Sequence, residues 1–330
     1  MNILITGASG RIGKNLVPAL LERGHRVRAL VLPEEKHKIE DFDIECIVGK
    51  LEDASIYPSL MKGIEAVYHL GALLPQGATN EQIFQVNIRG TYNILESLVE
   101  NGVKLSRFIF ASSDEVYSSL NPRYLPLDEF HPHYPYSLYG FSKVFGEDLC
   151  QFYFREHGIP IVISRFTFTI EAKELADPSS VAGGLFYVNR KLELLKQIEN
   201  PSQEVVKQMN MFEQMAKKHG ESVYISYDED GSPYEMTICD VRDLVKGLLL
   251  ILENENVVGE AIGFGPPCSF TFDRMVSYLA EKTGLPCDEV KLSSSLSPKF
   301  NISIAKAKTF LGYDPEWDIY SMIDDAIKSN

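Results

Sequence analysis

The chain of 330 residues is 45% hydrophobic and carries a formal charge of −14. That length can bury a large core, so a globular protein of one big domain or two interlocked ones is expected. The acidic balance argues against a nucleic-acid partner, whose phosphates require a concentrated basic surface, and no apolar run approaches the roughly 18 residues of a membrane span.

The start, "MNILITGASG", lacks the basic leader and cleavage site of a signal peptide and opens on a strand pattern, so a cytoplasmic protein is expected. Over the first two-thirds, short β-branched runs alternate with amphipathic stretches, the pattern of a parallel sheet covered by helices. Strands are predicted at "NILIT", "RVRALV", "IECIV", "AVYHL", "RFIFA" and "PIVIS", and helices at "RIGKNLVPALLERG", "EQIFQVNIRGTYNILESLVENG" and "SLYGFSKVFGEDLCQFYFREHG". The first helix aligns Ile12, Leu16 and Leu20 for packing on the sheet. Pro18 within it should cost a hydrogen bond or kink the helix.

From about Thr167 the alternation stops. Residues 171–221 read as loop and helix with Lys/Glu faces turned to solvent, or as a mobile cover over a ligand. A strand-like "YEMTIC" leads into a helix at "DVRDLVKGLLLILEN", and the tail adds "AIGFG" and two or three short helices. Cys46, Cys150, Cys239, Cys268 and Cys287 form no CxxC pair, so neither a disulfide framework nor a metal site is expected.

Directly after the first strand, "TGASGRIG" spaces Gly7, Gly10 and Gly13 three apart at a strand-to-helix junction. Glycines there let the backbone turn tightly and approach a pyrophosphate, whose charge helix N-terminal amides stabilise. A second pattern, a tyrosine and a lysine four apart, occurs three times: Tyr139 and Lys143, Tyr187 and Lys191, Tyr278 and Lys282. Spacing cannot separate them, because residues four apart meet on any helix.

These motifs, in this order, resemble the extended short-chain dehydrogenases/reductases, the family of NAD-dependent epimerases and dehydratases. "TGASGRIG" resembles the family's TGxxGxxG, "VYHLGA" its HLAA, "VNIRGTYNILE" its NVxGTxNLLE, "FASSDEVY" its serine-bearing strand end and "YGFSK" its YxxxK. "DVRDLVKGLLLIL" and "FLGYDPEW" are similar to its VxDxxxA helix and LGWxP tail. The resemblance implies a Rossmann-type doubly wound α/β sheet over residues 1–166 and roughly 234–258, with a smaller substrate-binding domain from 167–233 and 259–330. It implies a dinucleotide on Gly7, Ser9, Gly10, Arg11, Ile12 and Gly13, with Leu51, Leu70, Gly71 and Ala72 beside it. It also singles out Tyr139 as the proton carrier, Lys143 as the cation that favours its phenolate and binds the nicotinamide ribose, and Ser113 as the holder of the reacting oxygen. A homodimer through the helices bearing "NIRGTYNILE" and Tyr139 is implied as well.

Asp114 and Glu115 reproduce the Asp-Glu pair of the family's sugar-nucleotide dehydratases. Loss of water beside a ketone needs an acid and a base, so two carboxyls suit that chemistry; equally, one of them caps the following turn. Against a nucleotide-sugar substrate, Phe168 stands where the family's diphosphate-binding Asn is usual, "GSPYEMTICDV" lacks the usual arginine, and Ser118 replaces a glycine. The second strand ends in Val31, followed by Leu32, and Lys50 takes the place of a second family acid near adenine. Without the ribose-binding acid, and with Lys36, His37 and Lys38 close by, the sequence leans slightly to NADP over NAD. Three functions stay open: an epimerase or dehydratase on a nucleotide sugar, an NADPH-dependent carbonyl reductase on a small ketone or aldehyde, and a non-catalytic dinucleotide sensor.

Overall fold

The computed structural model describes residues 1–117, 122–292 and 300–329. Strands β1 (Asn2–Thr6), β2 (Arg26–Val31), β3 (Glu45–Val48), β4 (Ala66–His69), β5 (Arg107–Ser113) and β6 (Ile161–Phe166) form where the β-branched runs predict them. With Ala261–Phe264 at one edge they make a seven-stranded parallel sheet, ordered Ala261–Phe264, β6, β5, β4, β1, β2, β3. Every residue of β4, β5 and β6 is buried, which is why these strands read as continuous hydrophobic runs: a parallel sheet is covered on both faces. The strand order reverses between β1 and β4, and in such sheets the crevice at the carboxyl ends beside that reversal receives the ligand.

Helix α1 (Arg11–Glu22) runs unbroken through Pro18 and buries Leu16, Val17 and Leu20. The proline's cost there is the donor it cannot give to a preceding carbonyl. The long helix expected after β4 is divided: α-helical turns at Asn80–Ile83 and Gly90–Glu100 flank a π-helical stretch, Phe84–Arg89. Such widened turns often mark functional sites, and this one carries Asn87.

The chain divides into two compact units: residues 1–168, 241–265 and 302–315 in the first, and 169–240, 266–301 and 316–330 in the second. Two segments that the sequence reading gave to the substrate-binding region thus lie in the first unit. Ala261–Phe264 pairs in parallel with β6, and the helix Ala305–Leu311 packs on that added strand.

In the second unit, helices Val188–Lys196 and Gln203–His219 pack together, so the 171–221 region buries Leu195, Phe212 and Met215 beneath its charged faces. The expected strand at "YEMTIC" is interrupted at Thr237 into Glu235–Met236 and Ile238–Asp240. A parallel pair, Val223–Tyr227 with Cys287–Lys291, was not expected from sequence; "CDEVK" has three charges in five residues and an exposed, alternating pattern. Among the described residues no helix is long and apolar enough to cross a membrane.

Candidate active site

The glycine turn makes close backbone approaches. Gly7 has φ +73°, a left-handed conformation that glycine adopts without strain, and a Cβ on it would lie 2.8 Å from the Gly71 nitrogen. A Cβ on Gly13 would lie 2.4 Å from the Gly7 carbonyl, so α1 begins pressed against the turn. Around this turn is a cavity of about 650 Å³, lined by Gly7, Ser9, Gly10, Leu51, Leu70, Gly71 and Ala72 among others. Arg11, Ile12 and Gly13 form the first turn of α1 and are not among the lining residues. A cradle closed by backbone contact on one side and open on the other fits a dinucleotide pyrophosphate.

A chain of buried hydrogen bonds ties the turn to the next elements. The Gly71 amide donates to Thr6 Oγ1 at 3.0 Å, Thr6 meets His69 Nδ1 at 2.8 Å, His69 Nε2 meets Thr91 Oγ1 at 3.0 Å, and Thr91 donates to the Asn87 carbonyl at 2.6 Å. Since Thr91 spends its proton on that carbonyl, it accepts from Nε2–H, leaving Nδ1 as acceptor for Thr6. Burial, reinforced by the Lys143 charge, lowers His69 to about 3, so the imidazole is neutral as this chain requires. Asn87 in turn accepts from the Leu73 amide at 2.8 Å, donates to its carbonyl at 3.0 Å and donates to Ser142 at 3.1 Å. It thereby pins the segment after β4 to the helix Leu138–His157.

That helix starts at Ser137, whose hydroxyl accepts from the Gly140 amide at 2.9 Å and donates to Glu115 Oε2 at 2.7 Å. It lies against β5 and the turn after it through two glycines: a Cβ on Gly140 would be 2.4 Å from the Glu115 carbonyl in that turn, and one on Gly146 2.3 Å from the Phe110 ring of the strand. Close contact brings Tyr139 and Lys143, both buried, to the end of β5. Ser113, the last residue of that strand, adjoins the Tyr139 phenol and favours its ionisation slightly. Lys143 Nζ donates to the Ala111 carbonyl at 2.7 Å and lies 5.5 Å from the Tyr139 ring centroid.

The electrostatics of this group run opposite to a resting phenolate. Burial and the charges of Glu115 and Asp114 push Tyr139 well above the ordinary value, opposed only by the Ser113 contact. Burial also lowers Lys143 to about 8. Tyr139 is therefore held protonated, ready to give a proton; accepting one calls for added positive charge nearby.

Ser113 donates to Asp114 Oδ1 at 3.1 Å and accepts from the Glu115 amide at 3.2 Å. Burial first, then Glu115, raises Asp114 to about 7, while Ser113 and the backbone amides of residues 114 and 115 act in the other direction. Asp114 thus combines the local capping contacts with a proton held near neutrality.

The other two Tyr/Lys pairs are engaged elsewhere. Tyr187 donates to the Leu175 carbonyl at 2.9 Å; Tyr278 donates to Asp324 at 2.8 Å, and Lys282 pairs with the same carboxylate at 2.8 Å. Arg165, near the end of β6, is likewise occupied: it forms a two-pronged pair with Glu147 at 2.9 and 2.7 Å, and also bonds Tyr117, His133 and the Glu129 carbonyl. Ser118 lies outside the described residues. Among the described residues, no group of three His, Cys, Asp or Glu side chains is placed to hold a metal ion.

The family model described as "NAD dependent epimerase/dehydratase family" matches residues 3–264. The chain belongs to this family. It is accordingly an enzyme of the extended short-chain dehydrogenase/reductase type. Over its whole length it is similar to a short-chain dehydrogenase/reductase superfamily protein from Agrobacterium tumefaciens solved with bound NAD, at 31% identity and a TM-score of 0.89, covering 97% of that chain. UDP-glucuronic acid 4-epimerase from Bacillus cereus, solved with NAD, is 25% identical with a TM-score of 0.75, covering 100% of this chain and 99% of that one. A uronate dehydrogenase from Pseudomonas syringae pv. tomato is 35% identical over 163 residues, 49% of this chain and 58% of that protein.

Within this epimerase/dehydratase chain, three contributors escaped the sequence reading: Asn87, His69 and Glu35. The first two lie in the quoted "VNIRG" and "VYHLGA", but a polar residue's buried partners cannot be read from its motif. Glu35 directly precedes Lys36, His37 and Lys38, whose charges mask it in the sequence, and it lines the cavity with Glu34.

Proposed function

We propose that this protein is an NAD-linked oxidoreductase of epimerase/dehydratase type, acting at a carbinol or ketone centre of a sugar substrate, with a nucleotide-linked sugar as the leading class. The observation that carries the proposal is the buried set Ser113, Tyr139 and Lys143 at the carboxyl end of β5, in the unit that holds the glycine-turn cavity. A nicotinamide bound there supplies the hydride acceptor or donor. Ser113 holds the substrate oxygen, and the protonated Tyr139 delivers its proton to a carbonyl oxygen as it is reduced. In the oxidising direction Lys143 offsets the negative charge that the Tyr139 phenolate carries before it takes the proton from the substrate hydroxyl. Asp114, protonated around neutrality and bonded to Ser113, is suited to a second proton transfer, with Glu115 as the companion base.

A second reading is a net dehydrogenase on a free sugar or similar small substrate. It is favoured by the engagement of Arg165 with Glu147, by Phe168 in place of the usual asparagine, and by the likeness to a uronate dehydrogenase. One experiment separates the two: denature the purified protein, identify the small molecule it releases, and incubate the native protein with UDP-glucuronic acid or with glucuronate. Retained NAD and a converted nucleotide sugar without net NADH support the first reading. Stoichiometric NADH from glucuronate supports the second, and neither conversion of the nucleotide sugar nor NADH formation from either compound would reject both.

Asp114 gives a pH signature. Its folded value near 7 lies above the unfolded carboxyl value near 4, so the folded state binds the proton more tightly, and stability falls as pH rises between those values. Asp114→Asn is expected to flatten the urea-unfolding stability between pH 4 and 7, and to remove an ionisation near 7 from the kcat/KM profile. An unchanged profile would take Asp114 out of the chemistry.

The protein is also proposed to be a homodimer. Phe84, Tyr92, Phe141, Phe145 and Phe152, from the two helical segments that pack together beside the site, each expose 40–46% of their surface, an apolar face that a second copy would cover. Light scattering should report a dimer that Phe145→Asp converts to monomer; a monomeric native protein would reject the interface.

A further inference from the structure

The end of β2 lacks the acid that Rossmann sites use to bind the adenosine ribose, yet the cavity at that end is not without acids. The chain leaves β2 at Val31 and enters a tight helical turn, Pro33–Ile39, which brings Glu34 and Glu35 to the cavity wall with Val31, Leu32, Ser9 and Gly10. Glu35 is fixed there from two sides: Ser9, inside the glycine turn, donates to Oε2 at 2.7 Å, and Lys38 donates to Oε1 at 2.8 Å. The side chain keeps 31% of its surface exposed, so it is tethered to the turn and still faces the opening. Although burial acts in the other direction, the bonds from Lys38 and Ser9 keep its carboxyl below the usual range, and it is charged at neutral pH.

We infer that Glu35, carried on the turn after β2 and aligned by Ser9, selects NAD against its 2′-phosphorylated form. A dinucleotide whose pyrophosphate lies on the Gly7–Gly10 turn places its adenosine ribose toward the end of β2. A carboxylate there accepts a hydrogen bond from a ribose hydroxyl and repels a 2′-phosphate. Lys38, a cation beside Glu35 that would welcome the phosphate, is held by the same carboxylate. The preference for NADP suggested by Val31 and Leu32 is thereby turned toward NAD.

The inference rests on the dinucleotide reading above, and its test keeps the two apart. Binding of NADH and of NADPH to the purified protein would be followed by nicotinamide fluorescence without substrate, for the native chain, Glu35→Gln and Lys38→Ala. The native chain is expected to bind NADH about tenfold or more tightly than NADPH. Glu35→Gln, which keeps the shape and removes the charge, should shrink that ratio to about threefold or less, mainly by gain of NADPH binding. Lys38→Ala, which leaves the carboxylate unneutralised, should widen it. Binding of neither nucleotide would overturn the dinucleotide reading and this inference with it. Equal binding by the native chain, or an unchanged ratio in a folded Glu35→Gln, would overturn the inference alone. Should Glu35→Gln not fold, a ratio that Lys38→Ala leaves unchanged or narrows overturns it equally.

Discussion

Tyr139→Phe is expected to lower kcat/KM by about 10²–10⁴-fold, the range that one positioned proton carrier supplies. The change removes a single oxygen. The ring stays buried where Lys143 Nζ approaches it, and Ser113 keeps its bonds to Asp114 and to the Glu115 amide. Melting temperature and NADH affinity should therefore stay close to native, because the hydroxyl faces Ser113 and the dinucleotide cavity is lined by other residues. The measurement pairs steady-state kinetics with a thermal melt and a binding titration. Near-native turnover in a folded variant would sink the assignment. A parallel loss of fold would leave the role to be decided by Ser113→Ala, for which a smaller loss of turnover is expected.

Glu147→Ala should be the most destabilising single change near the site, costing about 3–5 kcal/mol, because it strands a buried cation. Arg165 and Glu147 keep only 6% and 4% of their side-chain surface exposed. Glu147 also accepts from Ser112, the residue before Ser113, so the pair braces the strand end that carries the proton machinery. Deleting both partners together, as Glu147→Leu with Arg165→Met, should cost less than Glu147→Ala, since no unpaired charge remains. Urea unfolding of the three proteins tests this. A double variant no more stable than Glu147→Ala would mean that the bonds of Arg165 to Tyr117 and to the Glu129 carbonyl outweigh its charge balance.

What could be read from the sequence was what repeats or is spaced along the chain. The six strands of the sheet's interior and one side announce themselves as β-branched runs because both faces of the sheet are covered, and the glycine turn because its spacing follows a strand directly. The edge strand Ala261–Phe264 has only four residues, and its membership of the sheet depends on a partner, Ile163–Phe166, about a hundred positions away. No local pattern carries that information. Cys287–Lys291 was hidden for a different reason: three of its five residues are charged, which is how an exposed edge is kept from pairing further. In the site, Tyr139 and Lys143 were legible by motif order. Glu35 was not, because the strand end was expected to supply the acid and the chain supplies one four residues later, through a turn. That Arg165 is taken up by Glu147 was not legible either, because the two are eighteen positions apart on different elements.

Gly140 and Gly146 have an implication for how this protein can change. They let the main chain of the Tyr139 helix rest on the Glu115 carbonyl just after β5 and on the Phe110 ring of that strand, with no side chain of the helix itself intervening at either point. The separation between Ser113 and Tyr139 is then inherited from backbone geometry, so drift among surface or rim residues leaves it untouched. Laboratory evolution toward a new sugar can therefore be confined to positions that only touch the substrate, while libraries that randomise either glycine should return almost nothing but inactive clones.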